Sequence, residues 1–168
     1  QLLPVFRLPN IVDAEGNADS LTASTGAGSG VVVAGAGIHL NNMLGKHHLN
    51  LARRRRRPGG RLTSMMAPSV VLQDGRPRIV VGSAGSARLR GAILQIVVNA
   101  LGHELPLDEA ITAPRVHLED GHVHCEGGHD PAVLDELDRR GYDVVRWRRR
   151  NLYFGGAAAV EMRQDGTL

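Results

Sequence analysis

The chain has 168 residues, 20 of them basic and 17 acidic, with a formal net charge of +3. That length supports a core of its own, and the balance is only mildly basic. One cysteine excludes an internal disulfide, and no apolar run approaches the roughly 18 residues that a membrane span needs. Hydrophobic residues make up 42% but aromatic ones only 3%, so the core has to be assembled from Val, Leu, Ile and Ala.

Residues 1–7 show no clear periodicity. The segment 10–24 reads as a hairpin, with Ile11-Val12 leading into the polar stretch Asp13 to Asn17 and Leu21 to Ser24 returning. Gly26-Ala27-Gly28-Ser29-Gly30 then interrupts regular structure. Val31 to Val33 forms a short apolar strand, and Ala34 to Gly37 turns the chain toward Ile38 to Asn42. Residues 46–61 carry seven cations and no acid, including Arg53 to Arg57, and are expected to form a solvated basic loop.

Ser69 to Gln73 and Arg78 to Val81 are β-branched runs joined through Asp74-Gly75, the composition of a hairpin between well-buried strands. A glycine-rich loop, Gly82-Ser83-Ala84-Gly85-Ser86, follows. Apolar residues at Leu89, Ala92, Ile93, Ile96, Val97, Ala100 and Leu101 then predict a helix with one buried stripe. Strand, glycine loop and helix start succeed one another directly, which aims backbone N–H groups and the positive end of the helix dipole at one point.

Further along, 106–112 predicts a short helix that opens at a proline and stops before Pro114. Val116 to Leu118 and His122 to Cys125 predict a hairpin across Glu119-Asp120-Gly121. Asp130-Pro131 caps a helix that ends before Gly141. Strands are expected at 143–147 and 157–162.

Three other features have simpler readings than they invite. The arginine run lacks interleaved aromatics for base stacking, so nucleic acid is not expected as a partner. His122 and His124 share a strand face without a thiolate or acid at ligand spacing, so no metal is expected. Cys125 is read as a small buried side chain.

Six blocks in order, V-D-A-E-G-N-A-D-S-L-T-A-S, G-S-G-V-V-V, G-I-H-L-N-N-M-L-G, T-S-M-M-A-P-S-V-V, G-S-A-G-S-A-R and A-P-R-V-H, resemble the small catalytic subunit of the γ-glutamyltranspeptidases, of the N-terminal-nucleophile hydrolase superfamily. The resemblance spans almost the whole chain. It implies one α/β domain, the small-subunit part of an αββα sandwich, incomplete at both ends. It also implies a large subunit of the same precursor as heterodimeric partner and a γ-glutamyl compound such as glutathione as substrate. In that family a precursor cuts itself to expose a threonine, whose hydroxyl attacks the γ-glutamyl amide with its own α-amine as base. Nucleophile and base share one residue, so no cofactor is required.

Carried over position by position, the resemblance places the oxyanion-hole pair on Gly85 and Ser86, where backbone N–H groups do the work. The serine pair that touches the glutamyl carboxylate falls on Ser64 and Met65, so one hydroxyl is replaced by a thioether. The hydroxyl that supports the nucleophile falls on Ser24. Asn42 belongs to the substrate-binding Asn-Asn block, beyond which Lys46-His47-His48 stands where the family has acids for the α-ammonium. Counting back from Val12-Asp13 puts the nucleophile position on Phe6, whose phenyl ring cannot be acylated. Two readings stay open. One is a γ-glutamyltransferase or hydrolase whose authentic nucleophile junction differs from these first residues; the other is an inert relative that serves as a binding or structural partner.

Overall fold

The computed structural model of the chain describes residues 6–45, 59–163 and 165–168. Most of the predicted basic loop, including Lys46, His47, His48 and Arg53 to Arg57, lies outside them. Twelve strands are described: β1 (Phe6–Arg7), β2 (Asn10–Val12), β3 (Ala18–Ser20), β4 (Ala23–Ser24), β5 (Val32–Val33), β6 (Ile38–His39), β7 (Ser69–Gln73), β8 (Arg76–Ala84), β9 (Val116–Glu119), β10 (His122–Cys125), β11 (Asp143–Arg146) and β12 (Gly156–Glu161). The α-helices are α1 (Leu89–Val97), α2 (Leu107–Thr112) and α3 (Pro131–Arg139).

The central sheet has the order β12-β8-β7, antiparallel throughout. One face carries α1 and α2, which pack Ile93, Ile96 and Ala110 onto Ile79 and Val81 to form the main core. The β2–β3 hairpin touches β8 and β12, where Asn10 Nδ2 donates to the Ala158 carbonyl at 2.8 Å and Ser20 Oγ donates to that of Val81 at 3.3 Å. Hairpin, sheet and helices therefore succeed one another as layers, as the expected αββα arrangement requires. A second sheet, β11-β10-β9, packs Val123 and Cys125 against Leu134 of α3. Asp130 caps that helix by accepting from Ala132 N at 2.9 Å, as its position before Pro131 predicts.

Several expectations change. The first hairpin returns at Ala18 to Ser20 rather than at Leu21, because Asp13 closes the turn early: its Oδ1 accepts from Asn17 N at 2.8 Å. Residues 82–84 are strand instead of loop, since their backbone groups pair with Gly156 to Ala158 of the last strand. The turn thus contracts to Gly85-Ser86. β7 is only half-buried, with Leu72 61% exposed, so the central hairpin has one well-buried strand and one edge strand. Beyond Val97 the helix widens into one π-type turn over Val98–Gly102, with His103 N donating to Val98 O at 3.1 Å. Cys125 is fully buried, and burial pushes its thiol pKa up, as for a packing residue.

Candidate active site

The path of β8 out of the sheet decides where the site lies. At Ala84 the strand ends, Gly85 adopts φ 139° and Ser86 φ 58°, and a single 3-10 turn (Ser86–Arg88) leads into α1. A β-carbon at Gly85 would stand 2.7 Å from Gly155 Cα, so two chain segments meet here at a distance that only glycine permits. Amides at the start of a helix lack intrahelical acceptors, and the two residues of this turn, Gly85 and Ser86, both line a pocket.

That pocket, about 280 Å³, is lined by Ser24, Gly26, Ala27, Met43, Met65, Met66, Gly85, Ser86, Arg88 and Leu89. Three chain regions distant in sequence thus supply one cavity. Ser24 lies on β4, whose partner is β1, and Phe6 is the Cα partner of Ser24. The backbone at position 6 is consequently one strand removed from a residue of the pocket wall. Ser24 Oγ also accepts from Gly26 N at 2.9 Å, fixing the turn that enters the pocket.

Of the positions expected to act on substrate, Gly85, Ser86, Ser24 and Met65 share this pocket. Ser64 does not: it is exposed, and its Oγ accepts from Met66 N at 3.1 Å. Asn42 stands behind the wall, its Oδ1 accepting from Ala27 N at 3.1 Å. Met65 is 6% exposed and, with Met43, Met66 and Leu89, makes the described lining predominantly apolar. Met43, Met66 and Arg88 escaped the sequence reading, although Arg88 closes the G-S-A-G-S-A-R block.

Arg88 ties the pocket to an aromatic cluster. Its Nε donates to the Tyr153 carbonyl at 2.8 Å, and its guanidinium lies 4.4 Å from the centroid of the Tyr153 ring. Trp147 stacks on Tyr153 at 4.9 Å between centroids, and Phe154 meets both edge-on. The Tyr153 hydroxyl donates to Glu119. That bond holds Glu119 below the usual carboxylate range, while burial and the same carboxylate push Tyr153 up to about 12. Burial also lowers the pKa of His117 beside them. The histidines of β10 divide: His122 pairs with Asp143 at 2.9 Å, whereas His124 joins the cluster, its Nδ1 facing the Trp147 indole N–H at 3.3 Å and its ring 5.3 Å from that of Tyr153. Among the described residues no three His, Cys, Asp or Glu side chains converge as a metal site would require.

Known proteins supply the decisive comparison. The family model described as Gamma-glutamyltranspeptidase matches residues 9–168. The chain belongs to the γ-glutamyltranspeptidase family. Among curated relatives it is 35% identical over 166 residues to the Acylase ACY 1 proenzyme of Pseudomonas sp. (strain SE83), covering 94% of this chain and 28% of that protein. It is 31% identical over 178 residues to the Glutathione hydrolase proenzyme of Escherichia coli (strain K12), covering 95% and 29%. This γ-glutamyltranspeptidase relative therefore spans under a third of the length of those two precursors. Its fold, an α+β arrangement of the N-terminal-nucleophile hydrolase type, superposes on the gamma-glutamyltranspeptidase from Pseudomonas nitroreducens complexed with L-DON with a TM-score of 0.77 and 30% identity, over 94% of this chain and 89% of that one.

Proposed function

We propose that this chain is the small-subunit part of an enzyme that transfers or hydrolyses the acyl group of γ-glutamyl amides such as glutathione. The observation that carries the reading is that the Gly85-Ser86 turn and Ser24 line one pocket of amino-acid dimensions, with position 6 of β1 paired to Ser24 one strand away. In the reaction that the family resemblance implies, a hydroxyl at the nucleophile position, filled in this sequence by Phe6, attacks the amide carbonyl and gives its proton to the α-amine of the same residue. The tetrahedral oxyanion accepts from the amides of Gly85 and Ser86. Collapse expels the amine with that proton and leaves an ester, which water or an acceptor amine then cleaves. Ser24, opposite position 6 in the strand pair, supports the hydroxyl.

Phe6 removes the attacking hydroxyl and favours a second reading, an inert relative that keeps the pocket for binding. Met65 adds a difference of degree, since an apolar wall replaces a hydroxyl that would grip the glutamyl carboxylate. A large subunit is the proposed partner. In its support, the curated relatives named above are proenzymes more than three times as long as the matched region, whereas the solved chain is matched over 89% of its length.

Release of a chromogenic anilide from a γ-glutamyl anilide separates the two readings. Phe6→Thr, with its α-amine freed and its large subunit present, is expected to release anilide while the parent chain does not. A folded Phe6→Thr protein that binds the donor without releasing anilide supports the inert reading.

A further inference from the structure

The loop that backs the Gly85 turn is held by two buried charged residues that line no part of the pocket. Arg115 is 8% exposed and Glu126 7%. Arg115 Nη1 donates to the carbonyls of Gly155 at 2.5 Å and Phe154 at 3.3 Å, and Nη2 donates to that of Ile111 at 2.8 Å. Glu126 works from the other side: Oε2 accepts from Arg115 N at 3.1 Å and Oε1 from Asn151 N at 2.9 Å. Three carbonyls and two amides of separate segments are thus pinned by one guanidinium and one carboxylate.

The pinned loop ends at Gly155, and Gly155 touches the turn. A β-carbon there would lie 2.5 Å from the Ala84 carbonyl oxygen and 3.5 Å from Ser83 Oγ. Ser83, fully buried, donates through Oγ to the Gly156 carbonyl at 2.9 Å. With so little clearance, displacement of Gly155 has to displace Ala84 and Gly85. Oxyanion donors are effective only when fixed before the charge appears, so whatever fixes Gly155 also sets their aim.

We infer that Arg115 is a positioning residue of this site: its Nη1 grip on the Phe154 and Gly155 carbonyls, anchored through Nη2 on Ile111 and braced by Glu126, holds the Gly85-Ser86 amides in line with the pocket. The claim rests on the acyl-transfer reading for its catalytic consequence, though not for its structural one. Charge alone is insufficient, because Nη1 serves the Phe154 and Gly155 carbonyls while Nη2 serves that of Ile111, and lysine has one nitrogen where the guanidinium holds two at a fixed spacing.

Arg115→Lys tests it in two arms. In the first, amide resonances of Gly85 and Ser86 in the ¹⁵N-labelled full chain are expected to move, while that of Gly141, at the far end of α3, stays in place. In the second, on the Phe6→Thr background with its large subunit, kcat for anilide release is expected to fall about tenfold with KM within about twofold, the mark of a lost transition-state contact. Unchanged Gly85 and Ser86 resonances, or unchanged kcat, overturn the inference, since a purely electrostatic role is rescued by lysine. Absence of anilide release from the Phe6→Thr background itself counts against the acyl-transfer reading only, and the resonance arm still decides the placement of the turn. If Arg115→Lys does not fold, the neutral pair Arg115→Met with Glu126→Gln carries the same two expectations without a buried unpaired charge.

Discussion

Between Arg7 and Gly45 a single residue, Thr22, is buried among the described ones, whereas β8 and α1 bury Ile79, Val80, Val81, Leu89, Ala92, Ile93 and Ile96. The first region is not polar by composition. Ile11, Leu21, Val31, Val32, Ile38 and Leu44 are each about half exposed or more. The second is a sheet closed by helices on one face. The pocket lies where the two meet, with Ser24 and Met43 from the exposed region and Gly85, Ser86 and Leu89 from the buried one. The difference teaches that the Gly85-Ser86 turn, the proposed oxyanion site, is stabilised by this chain's own core, while the side proposed for the nucleophile leaves apolar surface exposed, as the proposed large subunit would require.

Substitutions on the two sides should therefore behave differently. The largest effect is expected for Ile96→Ala, which empties a fully buried site in the main core and should lower unfolding free energy by about 2–5 kcal/mol in urea titrations. A loss below about 1 kcal/mol would mean that the core is not concentrated under β8. Next comes Gly85→Ala. Its φ of 139° and the 2.7 Å approach to Gly155 Cα leave no room for a methyl group, so a loss of about 1–3 kcal/mol is expected together with loss of site function.

A smaller, pH-dependent effect is expected at Tyr153. Its phenol is pushed up to about 12, so above its ordinary value the folded state keeps a proton that the unfolded state has released. The stabilisation is complete below pH of about 10 and is lost as pH rises toward 12. Denaturant midpoints measured across that window should fall less steeply for Tyr153→Phe than for the parent chain; equal slopes would remove Tyr153 from the account. Least affected is Ile38→Ser, 59% exposed on the β5–β6 hairpin. It should change the stability of the chain alone by no more than about 0.5 kcal/mol yet weaken association with a covering subunit. A large loss in the isolated chain would erase the contrast between the regions.

What could be read in the sequence was whatever depends on neighbours along the chain. Asp74-Gly75 set the central hairpin, Asp130-Pro131 and Gly141 bounded α3, and the 3.6-residue stripe located α1. The glycine turn was visible because its residues are contiguous. Features that depend on distant partners were not. Residues 82–84 became strand through pairing with Gly156 to Ala158, some seventy residues on. Ser64 was paired with Met65 by block position alone, and only the fold shows that neighbouring side chains there point apart, one outward and one into the pocket. Arg115 is legible in the sequence only as part of the A-P-R-V-H block and Glu126 in no motif, because their partners Phe154, Gly155 and Asn151 lie far along the chain.

One measurement bears most directly on the claim that position 6 and the Gly85-Ser86 turn serve a single acyl-transfer pocket: peptide mapping by mass spectrometry of the Phe6→Thr protein after rapid quenching with a γ-glutamyl donor. The account predicts one glutamyl-sized addition, located at position 6 and lost in Gly85→Ala. An addition located elsewhere, or one that persists unchanged in Gly85→Ala, would contradict it.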